Sequence, residues 1–158
     1  MNDMIDSKAT REVVLAILES ICCQKWIEKD DFVDGYWTFS ITPDDIRASP
    51  LYIELDGKDY ADLQCGLHGY FEHPRRWNQE SILSFVEAVC NGHVKEISIQ
   101  TEKGKRLMTK TCVFTKMGVL ECNHFVLPIA LVPLPLIFGE LKIVERIFMS
   151  YKDVVAGQ

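Results

Sequence analysis

Two stretches of this chain repeat their apolar residues every three or four positions, and most of the remainder alternates every two. The longer period lines one face of a helix, and the shorter one lines one face of a strand. The first helical stretch is residues 8–28, where Val13, Val14, Ile17, Leu18, Ile21 and Cys22 share a face. Ser7 or Thr10 is its expected cap, with Asp6 and Glu12 near the positive end of the helix dipole. The second runs from Gln79 to Cys90 behind an Asn78 cap. It is expected to bury Ile82, Phe85, Val86 and Val89 and to end at Asn91-Gly92.

Between the helices the pattern is that of strands. Phe32 to Ile41 reads as one strand with a bend at Gly35. Thr42-Pro43-Asp44-Asp45 reads as the start of a short helix stopped by Ser49-Pro50. Leu51 to Leu55 alternates and meets Asp56-Gly57, a hairpin signal. The return strand is expected from Tyr60 to Phe71, with Leu63, Cys65, Leu67 and Phe71 on one face. After the second helix, Val94–Thr101, Arg106–Thr115 and Val119–Leu127 read as strands, and Pro128–Pro135 as an extended apolar crossing. Glu140 to Tyr151 fits a strand with Leu141, Ile143, Ile147 and Met149 inward. It also fits a helix, and its β-branched residues favour the strand. The order helix, strands, helix, strands predicts an α+β fold. We expect a mainly antiparallel sheet with two principal helices on one face, in a single domain spanning 1–158.

Length and composition narrow the functions. A chain of 158 residues with 47% hydrophobic content buries an adequate core without staples. Its net charge of −6 repels a phosphate backbone, so nucleic acid is not an expected partner. The start Met-Asn-Asp-Met-Ile-Asp-Ser-Lys lacks the basic and apolar regions of a secretory signal. The longest apolar run, Phe125 to Phe138, is interrupted by Pro128, Pro133 and Pro135 and is short of the roughly 20 residues that span a bilayer. No membrane contact is expected, and the cytoplasm is the expected compartment. The six cysteines are then expected to be reduced thiols.

No residue pattern demands catalysis. Cys65 with His68 and Cys90 with His93 have the spacing of half a zinc site, and Cys122 lies near His124. Each is read instead as a packed thiol near a surface imidazole, so no metal is expected. Cys90 lies at a helix C-terminus, where the dipole opposes a thiolate. Asp30/Asp31 and Asp44/Asp45 are read as solvated turn acids rather than a hydrolytic pair. No phosphate-cradling loop, dinucleotide fingerprint or nucleophile elbow occurs, so no cofactor and no catalytic residue is assigned. The basic run Lys103-Gly104-Lys105-Arg106 lies in a predicted turn.

The charge is polarised along the chain. Residues 28–62 hold ten acids against three bases, whereas 95–116 hold six bases against two acids. The acidic region also holds Tyr36, Trp37, Tyr52 and Tyr60. A strand buries one parity, so either Tyr36 or Trp37 must face outward. Acids with exposed aromatics suit a cationic protein partner. The expected partner-binding residues are Asp30, Asp31, Asp34, Tyr36, Asp44, Asp45, Asp56, Asp59, Tyr60 and Asp62.

The segment NQESILSFVEAVCNGHVKEISIQTEKGKRLMTKTCVFTKMG, residues 78–118, resembles immunity proteins of bacterial polymorphic-toxin systems of the Rhs and contact-dependent inhibition kinds. The shared pattern is a helix ending in a Gly cap, an alternating strand, a Gly turn and a second strand. The resemblance implies a protein that covers the active site of a cognate toxin and performs no chemistry. A secretion chaperone or adaptor, or a small Cys–His or carboxylate enzyme, are the alternatives.

Overall fold

The structure is a computed structural model and describes residues 5–72, 77–125 and 139–157. Helix α1 covers Ser7–Ser20. Its cap is Asp6, whose carboxylate accepts the Ala9 N–H at 2.9 Å; the expected caps Ser7 and Thr10 lie inside the helix and are buried. The helix ends well before residue 28 because Cys22 turns left-handed at φ 55°. The Cys23 N–H then bonds back to the Leu18 carbonyl, closing the end without a glycine to announce it.

A 3₁₀ turn at Gln24–Trp26 leads into β1 (Ile27–Val33), and β2 (Tyr36–Ile41) pairs back on it. The single strand expected from Phe32 to Ile41 is therefore a hairpin. Asp34 and Gly35 take φ of 51° and 84°, the paired left-handed geometry that hairpin twist demands. Strands β3 (Leu51–Leu55), β4 (Ala61–Cys65) and β5 (Gly69–Glu72) complete a meander ordered β1-β2-β3-β4-β5. The return expected from Tyr60 to Phe71 is thus two strands folded at Gly66. Gly66 has φ 67°, and a Cβ on it would sit 2.5 Å from Glu96 Oε1. Leu67, expected inside, lies on this turn and is exposed.

No helix starts at Thr42. Asp44 accepts the Trp26 indole N–H at 2.9 Å, and Asp45 accepts both the Arg47 backbone N–H and its guanidinium. Asp44 thereby ties the connection back to Trp26 and Asp45 fixes a local turn, and neither caps a helix. The Arg47 guanidinium holds the Asp45 carboxyl down at about 2.

Helix α2 (Gln79–Cys90) matches its expected bounds. Asn78 accepts the Ser81 N–H at 2.8 Å while Ser81 Oγ accepts the Asn78 N–H at 2.9 Å, a reciprocal cap. Strands β6 (Val94–Thr101), β7 (Arg106–Thr115), β8 (Gly118–Phe125) and β9 (Leu141–Ile147) form a second antiparallel sheet ordered β8-β7-β6-β9. Glu140–Tyr151 contains the expected strand, but Ile143 and Ile147 are 72% and 71% exposed. They pair with Ile99 and Lys95 on the face that turns from the core. A short helix α3 follows at Tyr151–Ala156. The Pro128–Pro135 crossing lies outside the described residues.

Among the described residues, then, the fold is α+β, with nine strands in two antiparallel sheets rather than one, and three helices. Val14 and Leu18 of α1, and Ile82, Phe85, Val86 and Val89 of α2, pack with Trp37, Phe39, Ile53 and Phe71 in one cluster. Each such side chain, wholly buried, contributes roughly 2 kcal/mol. Tyr151 clamps the C-terminal end: its hydroxyl donates to the Ser49 carbonyl at 2.6 Å, and its ring meets Trp26 edge-on at 5.7 Å. Among the described residues no helix is long and apolar enough to cross a membrane.

Candidate functional site

Strand parity divides the first sheet cleanly. Trp37, Phe39 and Ile41 of β2 and Leu51, Ile53 and Leu55 of β3 are buried toward the helices. Tyr36, Ser40, Tyr52, Glu54, Gln64 and Tyr70 therefore stand on the opposite face. Among the described residues no helix packs there. Of the pair Tyr36 and Trp37, it is Tyr36 that faces outward, at 41% exposure.

The register lays two rows across this face. One row places Asp31, Thr38, Glu54 and Asp62 opposite one another on successive strands. The next places Lys29, Ser40, Tyr52, Gln64 and Tyr70 opposite one another. Like charges directly opposite on neighbouring strands destabilise a sheet, so Glu54 opposite Asp62 favours a donor or a cation beside it. The structure moderates the repulsion with hydroxyls. Tyr36 donates to Glu54 Oε1 and Tyr52 donates to Glu54 Oε2. The hydrogen bond to Glu54 pushes the Tyr36 phenol up to about 12. Burial, then the same carboxylate, pushes the Tyr52 phenol up as well. Both phenols therefore stay protonated as donors at neutral pH. Gln64 Nε2 donates to Asp62 Oδ2 at 3.2 Å, and Asp62 is only 5% exposed.

The ten residues expected from sequence fall into four places. Asp31, Tyr36 and Asp62 lie on the outer face. Asp34, Asp56, Asp59 and Tyr60 lie in the β1–β2 and β3–β4 turns, which touch: a Cβ on Gly57 would meet the Gly35 carbonyl at 2.7 Å. These turns lie at one end of the sheet and meet the start of α1, where the Ile5 N–H donates to the Lys58 carbonyl at 3.0 Å. Asp44 and Asp45 lie in the β2–β3 connection at the other end and are engaged by Trp26 and Arg47. Asp30 points to the core side, where it accepts Arg11 Nε at 2.8 Å, Arg11 Nη2 at 2.5 Å and Trp37 Nε1 at 2.9 Å. Glu54, Gln64 and Tyr70 are not among the residues expected from sequence, and Tyr52 is marked there only as an aromatic of the acidic region. The alternation Tyr52-x-Glu54 and Asp62-x-Gln64 places them once the core parity of Ile53 and Leu63 is set.

Asp30 is accordingly a structural acid. Asp30→Ala is expected to lower the unfolding free energy by roughly 1–2 kcal/mol, since it strips a charge-assisted acceptor from Arg11 and Trp37. Arg11 holds the Asp30 carboxyl below its ordinary 3.8. The contribution is thus fully present above pH 3.8 and is lost as pH falls through the lowered value. Urea melts of the two proteins should converge toward acid pH.

A cavity of about 450 Å³ opens at the other end of the same face. Its floor is the row Ser40, Tyr52, Gln64 and Tyr70, and its wall carries His68 and His124. Burial pushes the Cys23 thiol up to about 11 and raises Cys65, Cys90 and Cys112, so none of the four is poised as a thiolate nucleophile. Among the described residues no three His, Cys, Asp or Glu side chains are grouped to hold a metal ion. No protein-family model, curated protein or solved structure matches the chain.

Proposed function

We propose that this chain is a non-catalytic protein-binding domain that docks a cationic protein surface on the outer face of its first sheet. Its biological role is that of an immunity protein, which covers the active site of a cognate bacterial toxin in the cytoplasm. The observation that carries the reading is the cross-strand acid row, with Glu54 at its centre held by the Tyr36 and Tyr52 hydroxyls. Glu54 and the opposed Asp62 attract Arg or Lys, and exposed tyrosines are preferred anchors at interfaces. The resemblance of residues 78–118 to immunity proteins supports the toxin as partner.

Co-purification with the product of the neighbouring upstream gene tests this. A stable complex, and protection of cells from that product, are expected. Neither complex nor protection with any neighbouring product would end the proposal. A second reading, a secretion chaperone or adaptor, draws on the second sheet. Its outer face aligns Phe125, Met108, Ile99 and Ile143 across four strands, with Phe125 54% exposed. That reading requires a stable dimer, and a monomer by light scattering would remove it.

A further inference from the structure

The face of the second sheet that meets the β4–β5 turn is polar and positively charged. The register places Arg146 opposite Glu96, Lys142 opposite Gln100, and Gln100 opposite Arg106. A register shift between Ile99 and Gln100 turns Arg106 to the same side as buried Leu107. Glu96 is the one acid in this set, and its Oε1 is already occupied. Its Oε1 accepts the Leu67 N–H at 2.8 Å, the His68 N–H at 3.0 Å and the Thr111 hydroxyl at 3.2 Å.

Two guanidinium donors remain over. Arg106 Nε and Arg146 Nη1 are shut from water and have no hydrogen-bond partner among the described residues. A buried cationic N–H without an acceptor is unfavourable, and such groups cluster where a ligand completes them. Arg106 Nη1 is hydrogen-bonded to His68 Nε2. A guanidinium offers only hydrogens, so Nε2 must supply the lone pair and the imidazole proton must sit on Nδ1. The His68 ring stacks on His124 with centroids 6.0 Å apart. Both imidazoles line the cavity described above, so Arg106 lies one hydrogen bond behind its wall.

We infer that Arg106, Arg146, His68 and His124 form a seat for an oxyanion, a carboxylate or phosphate group that enters through the cavity beside Tyr52 and Tyr70. The seat answers the acid row at the opposite end of the same face, so the face is bipolar. An oxyanion supplies the acceptor that Arg106 Nε and Arg146 Nη1 lack, in the planar geometry Arg favours. It also couples to protonation. Burial, and then the Arg106 charge, hold the His68 imidazole below its ordinary 6.5. Arg106, Arg146, His124 and Glu96 all act on it, and Glu96 alone opposes the shift. Protonated His68 cannot accept from Arg106, and both groups then turn to an incoming anion. Binding and protonation therefore favour each other.

This inference does not depend on the partner reading, because inorganic phosphate tests it with no partner present. The experiment follows the His68 and His124 imidazole resonances through a pH titration of the full chain, with and without phosphate, and with acetate in parallel. Phosphate is expected to raise the His68 titration midpoint. Arg146→Gln, which leaves the Arg106–His68 bond in place, is expected to weaken the phosphate response by about tenfold. A response to acetate as well assigns the seat to carboxylates, including an acidic group of a partner. A response to phosphate alone assigns it to phosphoryl groups. A His68 midpoint unchanged by either anion overturns the seat, and so does a response undiminished in folded Arg146→Gln. Should that variant lose its fold, the wild-type titration decides alone.

Discussion

Glu96→Ala is expected to lower the unfolding free energy by roughly 3 kcal/mol, among the largest effects a single polar substitution should have here. Glu96 is 4% exposed, and its Oε1 gathers two backbone N–H groups of the β4–β5 turn and the Thr111 hydroxyl. Alanine leaves those donors without an acceptor, each orphan costing about 1–3 kcal/mol. It also unties the first sheet from the second, because the turn belongs to one and Glu96 to the other. Glu96→Gln keeps an acceptor at the same position. It replaces charged hydrogen bonds by neutral ones, so it should lose no more than about half as much. Urea unfolding of both variants checks the pair. Equal losses would show that the charge, which both variants remove, rather than the acceptor matters at this position.

The largest expected effect on binding comes from Glu54→Lys. It sets a cation in the middle of the acid row and removes the acceptor shared by Tyr36 and Tyr52. Against a cationic partner it should weaken affinity by at least about 100-fold, or about 2.7 kcal/mol. Its effect on stability should stay within about 1 kcal/mol, since it relieves the cross-strand repulsion with Asp62 while losing two hydroxyl contacts. Tyr36→Ala should cost less affinity, about 1–2 kcal/mol. Association of the wild-type protein should slow as salt rises, and that slope should flatten in Glu54→Lys.

The parts legible in the sequence are those in which local signals agree. Helix α2 has its period, its Asn78 cap and its Gly92 stop all pointing to the same bounds. Helix α1 misled because Cys22, not a glycine, takes the left-handed turn that ends it. The first hairpin carries at Asp34-Gly35 the same Asp-Gly signal as Asp56-Gly57, but the aromatic run on both sides of it reads as one strand. Asp44 and Asp45 imitate a helix start, and only the folded position of Trp26 and Arg47 shows where their carboxylates go. The face itself was half legible. Charge and aromatics marked the region, but register decides which acids share a face. Register placed Glu54 at its centre and turned Asp30 inward. The cation cluster was not legible, since His68, His124, Arg106 and Arg146 come from four separate elements.

The most direct measurement is the affinity of a co-purifying toxin domain for three proteins side by side: wild type, Glu54→Lys, and Ile143→Asp on the outer face of the second sheet. Docking on the acid row predicts that Glu54→Lys loses binding while Ile143→Asp keeps it. Binding retained in Glu54→Lys and lost in Ile143→Asp would move the interface to the second sheet and contradict docking on the acid row.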